Sequence, residues 1–263
     1  MRVAVLLLTP IILFAKVHYA KVEPYESITL KSAISAQVVG ANIELEGKNI
    51  ERGVIVQLDD KLDKIKLKSD REALGLIKKM LKITRDNINA LSESLDRQRS
   101  YYERIEGIST IAINQKDKAF YTYINTQSQY LSAKEKLETL KRQKLDLLYD
   151  IEKLKDNISK KSIRVKDKFL YKLLVHRGDF VNMGMPVAEV RDLTKAKLTI
   201  FLELDELKGI KTKKIYIDGK ETSYKISKIW SVTDSKFISS YRAEIVIKNF
   251  HGKFSQLLKV EFK

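Results

Sequence analysis

The chain has 263 residues, of which 32% are charged, and a formal net charge of +16. It contains no cysteine, which excludes disulfides, thiolate metal sites, cysteine nucleophiles and a lipidated N-terminal cysteine. A basic chain raises nucleic acid or an anionic membrane as partners, but acidic residues alternate with the basic ones through the helical region and no nucleic-acid-binding motif accompanies them, so no nucleic-acid partner is expected.

The chain begins with a segment typical of a secretory signal. Arg2 supplies a positive charge, Val3–Phe14 is almost entirely apolar, and Ala15 offers a small residue for cleavage. About a dozen apolar residues are short for a membrane span, which needs about 20. A cleaved signal peptide at 1–15 is therefore favoured over a retained anchor, and it predicts an exported, largely soluble mature protein.

Two similar segments with paired glycines flank a long charged region. Gly47–Gly53 and Gly178–Gly184 each enclose a central β-branched residue, and an alternating apolar pattern leads from them to Asp59 and Asp192. Glycine adopts positive φ readily, which suits tight turns between short strands. The candidate turn glycines are Gly47, Gly53, Gly178 and Gly184. We expect the two segments to be halves of one small β unit, split by a helical insertion.

A heptad pattern predicts a long helix after the first glycine segment. One row of residues recurs every seven positions, and a second row follows three positions later. The rows are Leu67, Leu74, Leu81, Ile88, Leu95 and Tyr102, and then Asp70, Ile77, Thr84, Leu91, Gln98 and Ile105. Polar residues interrupt the second row. A helix of about 40 residues is about 60 Å long and cannot bury this face alone, so it requires a partner helix.

The following segment supplies that partner. A three-four spacing, which only Lys144 interrupts, runs through Ala119, Tyr123, Thr126, Tyr130, Ala133, Leu137, Leu140, Leu147, Ile151, Leu154 and Ile158. Gly107 is expected to end the first helix, and Asn114, with Asp117 three residues later, is expected to cap the second. Two helices of about equal length then form an antiparallel coiled-coil hairpin over residues 62–160.

The connection between the helices is unusually apolar. It contains Ile108, Ile111, Ala112 and Ile113, which would lie at the far end of a narrow hairpin with little core to cover them. Two interpretations remain open at this point. These residues either close the end of the coiled coil or form an exposed contact for another protein.

The last 70 residues or so predict a small all-β barrel or sandwich. Lys197–Leu204 alternates in the manner of a strand, and Asp218–Gly219 suits a hairpin turn. Further candidate strands are Lys214–Ile217, Tyr224–Trp230, Tyr241–Ile247 and Leu257–Phe262. The sequence has no phosphate loop, dinucleotide fingerprint, nucleophile elbow or His-Glu zinc motif, so we expect no enzyme activity, cofactor or metal.

This order of parts resembles the periplasmic adaptors, or membrane fusion proteins, of the HlyD family from bacterial tripartite efflux and type I secretion systems. Arg177–Val187 looks like the second lipoyl half of the family, and Lys197–Leu207 looks like its first barrel strand. Glu46–Asp59 matches the first half less well, because it is about one residue short after Gly53.

The resemblance implies an α+β, elongated, multidomain fold. A long antiparallel α-helical coiled-coil hairpin is inserted between two halves of a lipoyl-like β-sandwich and is followed by a small β-barrel. Residues 16–61 would contain the N-terminal strands and the first lipoyl-like half, 161–193 the second half, and 194–263 the barrel or membrane-proximal β domain.

The resemblance also implies a function. A ring of copies, commonly six, would link an inner-membrane transporter of the ABC or RND type to an outer-membrane TolC-like channel, for efflux or secretion. The protein would lie in the periplasm and associate with the inner membrane. The alternatives are an exported coiled-coil interaction or envelope-structural protein without a transport role, and a coiled-coil chaperone, against which the paired glycine segments argue.

Many members of the family carry an arginine, a leucine and a serine near the hairpin tip, which engage the outer-membrane channel. Arg104 and Ile108 match the first two in type and spacing, whereas Asn114 stands about one residue before the serine position. The channel contacts that the resemblance and the apolar connection suggest are Arg104, Ile108, Ile111, Ile113 and Asn114.

Overall fold

Two units of different architecture make up the chain. The computed structural model describes residues 16–263, so the predicted signal peptide at 1–15 lies outside the described residues. One unit contains the described chain up to Gln57 together with Ile163–Lys263, and it is built of strands; the other, Leu58–Ser162, is built of two long helices. Within residues 16–263, no helix is both long and apolar enough to cross a membrane.

Eleven strands within the described residues form one branched sheet. They are β1 (Val17–Lys31), β2 (Ala36–Ala41), β3 (Asn49–Leu58), β4 (Ser162–Leu173), β5 (Phe180–Val181), β6 (Pro186–Glu203), β7 (Ile215–Ile217), β8 (Lys220–Thr222), β9 (Ile226–Thr233), β10 (Ser240–Lys248) and β11 (Leu257–Phe262). Their order is β5–β2–β3–β4–β6–β1–β11–β7–β8. Off this path, β10 pairs with both β6 and β9. Short 3-10 helices lie at Ile43–Leu45 and Ile210–Thr212.

In this sheet each glycine segment is hydrogen-bonded to the chain that precedes the other one, although the whole helical region separates the two segments in sequence. β2 pairs with β5, and the Gly178 N–H donates to the Val38 carbonyl at 2.8 Å. The Gly47 N–H donates to the Leu170 carbonyl at 2.9 Å, and β3 lies beside β4. The two segments therefore fold into one unit, as predicted.

Three of the predicted turn glycines have a backbone conformation that favours glycine. The φ angles are +74° at Gly47, +102° at Gly178 and +84° at Gly184. Gly53 differs, because it lies inside β3 and does not have a positive φ. The predicted turn at Gly53 is wrong. The apolar alternation begins before this glycine, at the buried Ile50, so the strand runs through it.

The aspartates that follow the two segments form the same local hydrogen bond. Asp59 Oδ1 accepts from the backbone N–H of Lys61 at 3.1 Å, and Asp192 Oδ1 accepts from that of Thr194 at 2.9 Å. A carboxylate that bonds the backbone two residues later forms an Asx turn. The first of these turns precedes a helix, whereas the second lies inside β6, so the similarity of the two segments extends to their ends.

The C-terminal part of the strand unit has a continuous apolar core. β6 pairs with β10, and the alternate residues Leu198, Ile200 and Leu202 are buried. β1 also contributes, because Ala20 and Val22 belong to the same core and β1 pairs with both β6 and β11. Strands at the predicted positions 241–247 and 257–262 are confirmed as parts of β10 and β11.

The helical unit consists of α1 (Lys61–Glu106) and α2 (Ile113–Lys160). The helices run antiparallel. At one end Lys161, which follows α2, forms a 2.6 Å ion pair with Asp63 in the first turn of α1. At the other end the rings of Tyr102 and Tyr123 stack with centroids 6.3 Å apart.

Every residue of the predicted heptad rows in α1 and of the three-four spacing in α2 is buried or half-buried. The most buried positions in the helices include Leu81, Ile105, Leu140 and Ile151. The polar interruption at Asp70 is buried too, and its ion-pair partner is Lys66 one turn earlier. The period of the sequence therefore identifies the faces on which the two helices pack.

The helix ends differ in part from the prediction. Gly107 follows the last residue of α1, as expected, but its φ of −80° is that of an ordinary right-handed helix. α2 begins at Ile113, and its N-cap is Ala112, which makes no side-chain hydrogen bond to the helix. Asn114 lies in the first turn, so the predicted Asn114 cap is wrong. The Ala112 carbonyl accepts the first helical hydrogen bonds instead.

A partly buried ion pair stabilises Asp192. Lys168 Nζ lies 2.7 Å from Oδ2, and Thr194 donates its N–H and its hydroxyl to Oδ1. Burial alone would raise the pKa of Asp192, but these bonds outweigh burial and lower the pKa from 3.8 to about 2. A carboxyl group whose pKa is lower in the folded state than in the unfolded state stabilises the fold at pH values above its unfolded-state pKa. This stabilisation is lost as the pH falls toward the folded-state pKa.

Replacement of Gly178 by alanine should lower the free energy of unfolding by about 1 kcal/mol or more, because alanine resists positive φ. No atom lies within 4 Å of a Cβ built there, so the effect isolates backbone conformation. Gly53→Ala is the matched control, since its φ is not positive and its Cβ would make an ordinary 3.5 Å contact. Urea unfolding measures the stability of both variants. Equal losses of unfolding free energy would contradict the assignment of a positive φ to Gly178 and not to Gly53.

Truncation of Leu81 to alanine should cost about 2–4 kcal/mol, because its side chain is only 6% exposed between the helices. Leu76→Ala, at a position that is 60% exposed in the same helix, should change stability by about 0.5 kcal/mol or less. Thermal melts followed by helical circular dichroism compare the two. Similar melting temperatures for the variants would show that the packed face is assigned wrongly.

The Asp192 ion pair predicts a specific acid sensitivity. Asp192→Asn should lose about 2 kcal/mol of stability at neutral pH, and the difference from the unmodified protein should shrink as the pH falls from about 4 to about 2. Urea unfolding at a series of pH values measures it. The control is Asp86→Asn, on the exposed surface of α1. A difference independent of pH would rule out this linkage.

Candidate functional site

The helices are joined by residues 107–112, which form a tight and internally bonded turn. The backbone N–H of Ile108 donates to the Ile105 carbonyl at 3.3 Å, and that of Ile111 donates to the Ile108 carbonyl at 3.4 Å. Lys116 Nζ donates to the Glu106 carbonyl at 2.7 Å, which places a cation at the carboxyl end of α1. The connection at residues 107–112 therefore holds the start of α2 against the end of α1.

An aromatic cluster closes the helix pair just below this turn. The Tyr102 ring lies 5.4 Å from the Phe120 ring and stacks on Tyr123, while Ile105 and Ala119 are buried. The Tyr102 hydroxyl donates to Glu106 at 2.7 Å, and this hydrogen bond raises the pKa of Tyr102. These residues, rather than the isoleucines of the connection, supply most of the local core.

The five predicted contact residues lie together at this end of the helix pair. We call them the connection surface, and they are Arg104, Ile108, Ile111, Ile113 and Asn114. The Ile113 side chain is 75% exposed and that of Ile108 is 43% exposed. Ile111 is half-buried, and Asn114 is exposed.

Arg104 adds an available cation to the connection surface. Its Nε donates to the Ser100 carbonyl at 3.2 Å, and within residues 16–263 it forms no ion pair with a carboxylate. The neighbouring Arg99, by contrast, pairs with Glu103 at 2.8 Å. The terminal nitrogens of the Arg104 guanidinium are therefore free to bind a carbonyl or carboxylate group.

The structure adds two aromatic residues that the sequence analysis did not select. Tyr121 is 66% exposed, and Phe120 is partly exposed beside it, with ring centroids 5.9 Å apart. They extend the apolar character of the connection surface along α2. The run of three aromatics in Phe120–Tyr123 was the available signal, but only Tyr123 fits the packed face.

The described residues offer this site no metal chemistry. No group of three or more His, Asp or Glu side chains in residues 16–263 is placed to hold a metal ion. His18 Nε2 donates a 2.7 Å hydrogen bond to the Glu206 carboxylate, and His176 lies beside Asp179 in a separate turn. The arrangement at the connection surface suits recognition of another macromolecule through apolar and cationic groups.

Neither protein-family models nor curated proteins give a match to this chain. Solved structures do. MacA from Actinobacillus actinomycetemcomitans matches with a TM-score of 0.64 and 13% identity, over 94% of this chain and 78% of that one. The membrane fusion protein Spr0693 from Streptococcus pneumoniae R6 matches with a TM-score of 0.62 and 10% identity, over 95% of this chain and 99% of that one.

A third match bears on the helices. A MacA–MexA chimeric protein that contains the α-hairpin domain of Pseudomonas aeruginosa MexA has a TM-score of 0.52 and 15% identity, over 94% of this chain and 78% of the chimera. At such low identity the matches concern the fold. The chain has the fold of a membrane fusion protein over nearly its whole length, in agreement with the resemblance of its sequence.

Proposed function

We propose that this protein is a periplasmic adaptor that links an inner-membrane transporter to an outer-membrane TolC-like channel for efflux or secretion. The observation that carries the adaptor role is the fold match to a membrane fusion protein over 95% of this chain and 99% of the other. The outer-membrane channel is proposed from the resemblance of Arg104 and Ile108 to the tip residues of the family. Because the match includes the strands and both helices, it favours a shared role over a coiled coil acting alone. No catalytic activity is part of the proposal.

In this proposal the helix pair carries the channel contact. α1 has 46 residues, so it is about 70 Å long. The chain that enters α1 meets the chain that leaves α2 where the Leu58 N–H donates to the Lys161 carbonyl. The connection surface lies at the opposite end of the helices. Its exposed isoleucines gain free energy when an apolar partner covers them, and Arg104 adds hydrogen bonds with a defined direction.

The remaining parts of the proposal concern location and assembly. Residues 1–15 direct export, the protein acts in the periplasm at the inner membrane, and its transporter is of the ABC or RND type. Several copies assemble into a ring, commonly of six. The support for these statements is the resemblance of the sequence together with the shared fold.

Combining Arg104→Ala with Ile108→Asp should abolish transport, because one change removes the free cation and the other places a charge in the apolar contact. Folding, export and binding to the transporter should be unchanged. The matched control combines Arg85→Ala with Ile83→Asp, since Ile83 is 67% exposed on the same helix, away from the connection. Efflux or secretion in cells that contain the transporter and channel is the measurement. Normal transport by the Arg104→Ala, Ile108→Asp variant would show that the connection surface does not form the channel contact.

The absence of cysteine makes a direct test of the partners possible. Ile108→Cys, labelled in cells with a photoactivatable cross-linker, should capture the outer-membrane channel, whereas Ile83→Cys should not. Purification of the unmodified protein should also retain an inner-membrane transporter. If neither a transporter nor a channel is captured, the protein is an exported interaction or envelope-structural protein instead of an adaptor.

A further inference from the structure

One end of the strand unit exposes apolar side chains that the adaptor proposal does not use. Leu204, just after β6, is 65% exposed, Val232 near the end of β9 is 70% exposed, and Ile238 between β9 and β10 is 81% exposed. Ser240 at the start of β10 pairs with Glu203 of β6, so these positions share one end of neighbouring strands. We call this region the strand-end surface; it consists of Leu204, Trp230, Val232, Phe237 and Ile238.

Several backbone groups of the loop at the centre of this surface are hydrogen-bonded within the loop. Asp234 Oδ1 accepts from the N–H groups of Lys236 and Phe237, at 2.9 and 3.2 Å. The Asp234 N–H donates to the Ser240 carbonyl, and the Ser240 N–H donates to the Phe237 carbonyl, both at 2.9 Å. The Phe237 ring packs 4.2 Å from the Phe201 ring. A loop with these bonds loses little when its surroundings become less polar.

The charges without an ion-pair partner around the strand-end surface are predominantly positive. Lys208, Lys211, Lys228 and Lys236 form no ion pair with a carboxylate within residues 16–263; Lys228 and Lys236 instead lie over aromatic rings. Two of the nearby acids are already paired. Lys16 pairs with Glu203 at 2.7 Å, and His18 with Glu206 at the same distance. Residues 194–263 contain fifteen Lys and Arg against eight Asp and Glu.

The only tryptophan of the chain lies at this surface. Trp230 and Tyr241 border an open cleft together with Leu204, Leu207 and Lys211. Lys228 Nζ lies 4.3 Å and the Arg242 guanidinium 4.7 Å from the Trp230 ring centre. Tryptophan and tyrosine favour the boundary between hydrocarbon and water, and lysine reaches from that boundary to anionic headgroups.

We propose that the strand-end surface binds the surface of an anionic lipid bilayer. Ile238 and Val232 enter the boundary of the acyl chains, Trp230 lies at the headgroup level, and the four free lysines contact lipid phosphates. Lipid fits better than a protein partner, because the unpaired charges around the surface are predominantly cationic and Trp230 lies among them beside exposed aliphatic side chains. This inference does not depend on the adaptor role.

The test uses the protein as cells export it and vesicles of phosphatidylcholine with or without phosphatidylglycerol. The protein should bind the anionic vesicles, less at high salt, and lipids brominated on their acyl chains should quench Trp230 fluorescence. Ile238→Asp combined with Val232→Asp should weaken binding by about tenfold or more. The control combines Ile83→Asp with Leu145→Asp, which adds the same charge at exposed positions of the helices.

Three results would overturn the inference. They are an absence of binding to anionic vesicles, binding that the Ile238→Asp and Val232→Asp changes leave intact, and binding without quenching of Trp230. Loss of transporter co-purification in that variant, without any vesicle binding, would assign the surface to a protein partner instead. The vesicles contain neither transporter nor channel, so the vesicle-binding measurement can fail or succeed independently of the adaptor experiment.

Discussion

The organisation of this protein depends on backbone hydrogen bonds that join the chain before the helices to the chain after them. Gly178 bonds Val38, and Gly47 bonds Leu170, across the whole helical insertion. Closing so long a loop of flexible chain is entropically unfavourable. Two antiparallel helices of 46 and 48 residues reduce that cost, because they return the chain to its starting point. The near-equality of their lengths is therefore a condition for forming the sheet.

Sequence patterns with a long period were reliable guides to this structure. The heptad rows correctly identified the packed face of α1, including the polar positions Asp70 and Thr84, and the three-four spacing identified that of α2. Local signals were less reliable: Asn114 does not cap α2, and Gly53 continues a strand. The contribution of β1 to the C-terminal core depends on pairing with β6 and β11, far away in sequence, and no local pattern could show it. The sequence places the proposed contact residues at the connection between the helices, but their exposure could be read only from the packed helices.

Buried polar groups give the helical unit a specificity that an apolar face lacks. Asp70 is 9% exposed, and its Oδ2 accepts no hydrogen bond within residues 16–263, although Lys66 lies 3.1 Å away. A buried carboxylate of this kind destabilises a helix pair relative to leucine. A single polar residue on a packed helix face can also fix the register of the two helices. We interpret Asp70 and Thr84 as residues that fix the register.

The pairing of β2 with β5 also determines how the protein is made. Ribosomes produce β2 and β3 before the helices, and the residues that complete their hydrogen bonds follow only after α2. Until then the edges of these strands are open to pairing with other chains. Each helix forms through hydrogen bonds between residues four apart and can fold quickly, whereas the sheet waits for the C-terminal half. The nascent chain thus passes through an aggregation-prone interval whose length is set by the helical insertion, and a chaperone that covers β2 and β3 would act there.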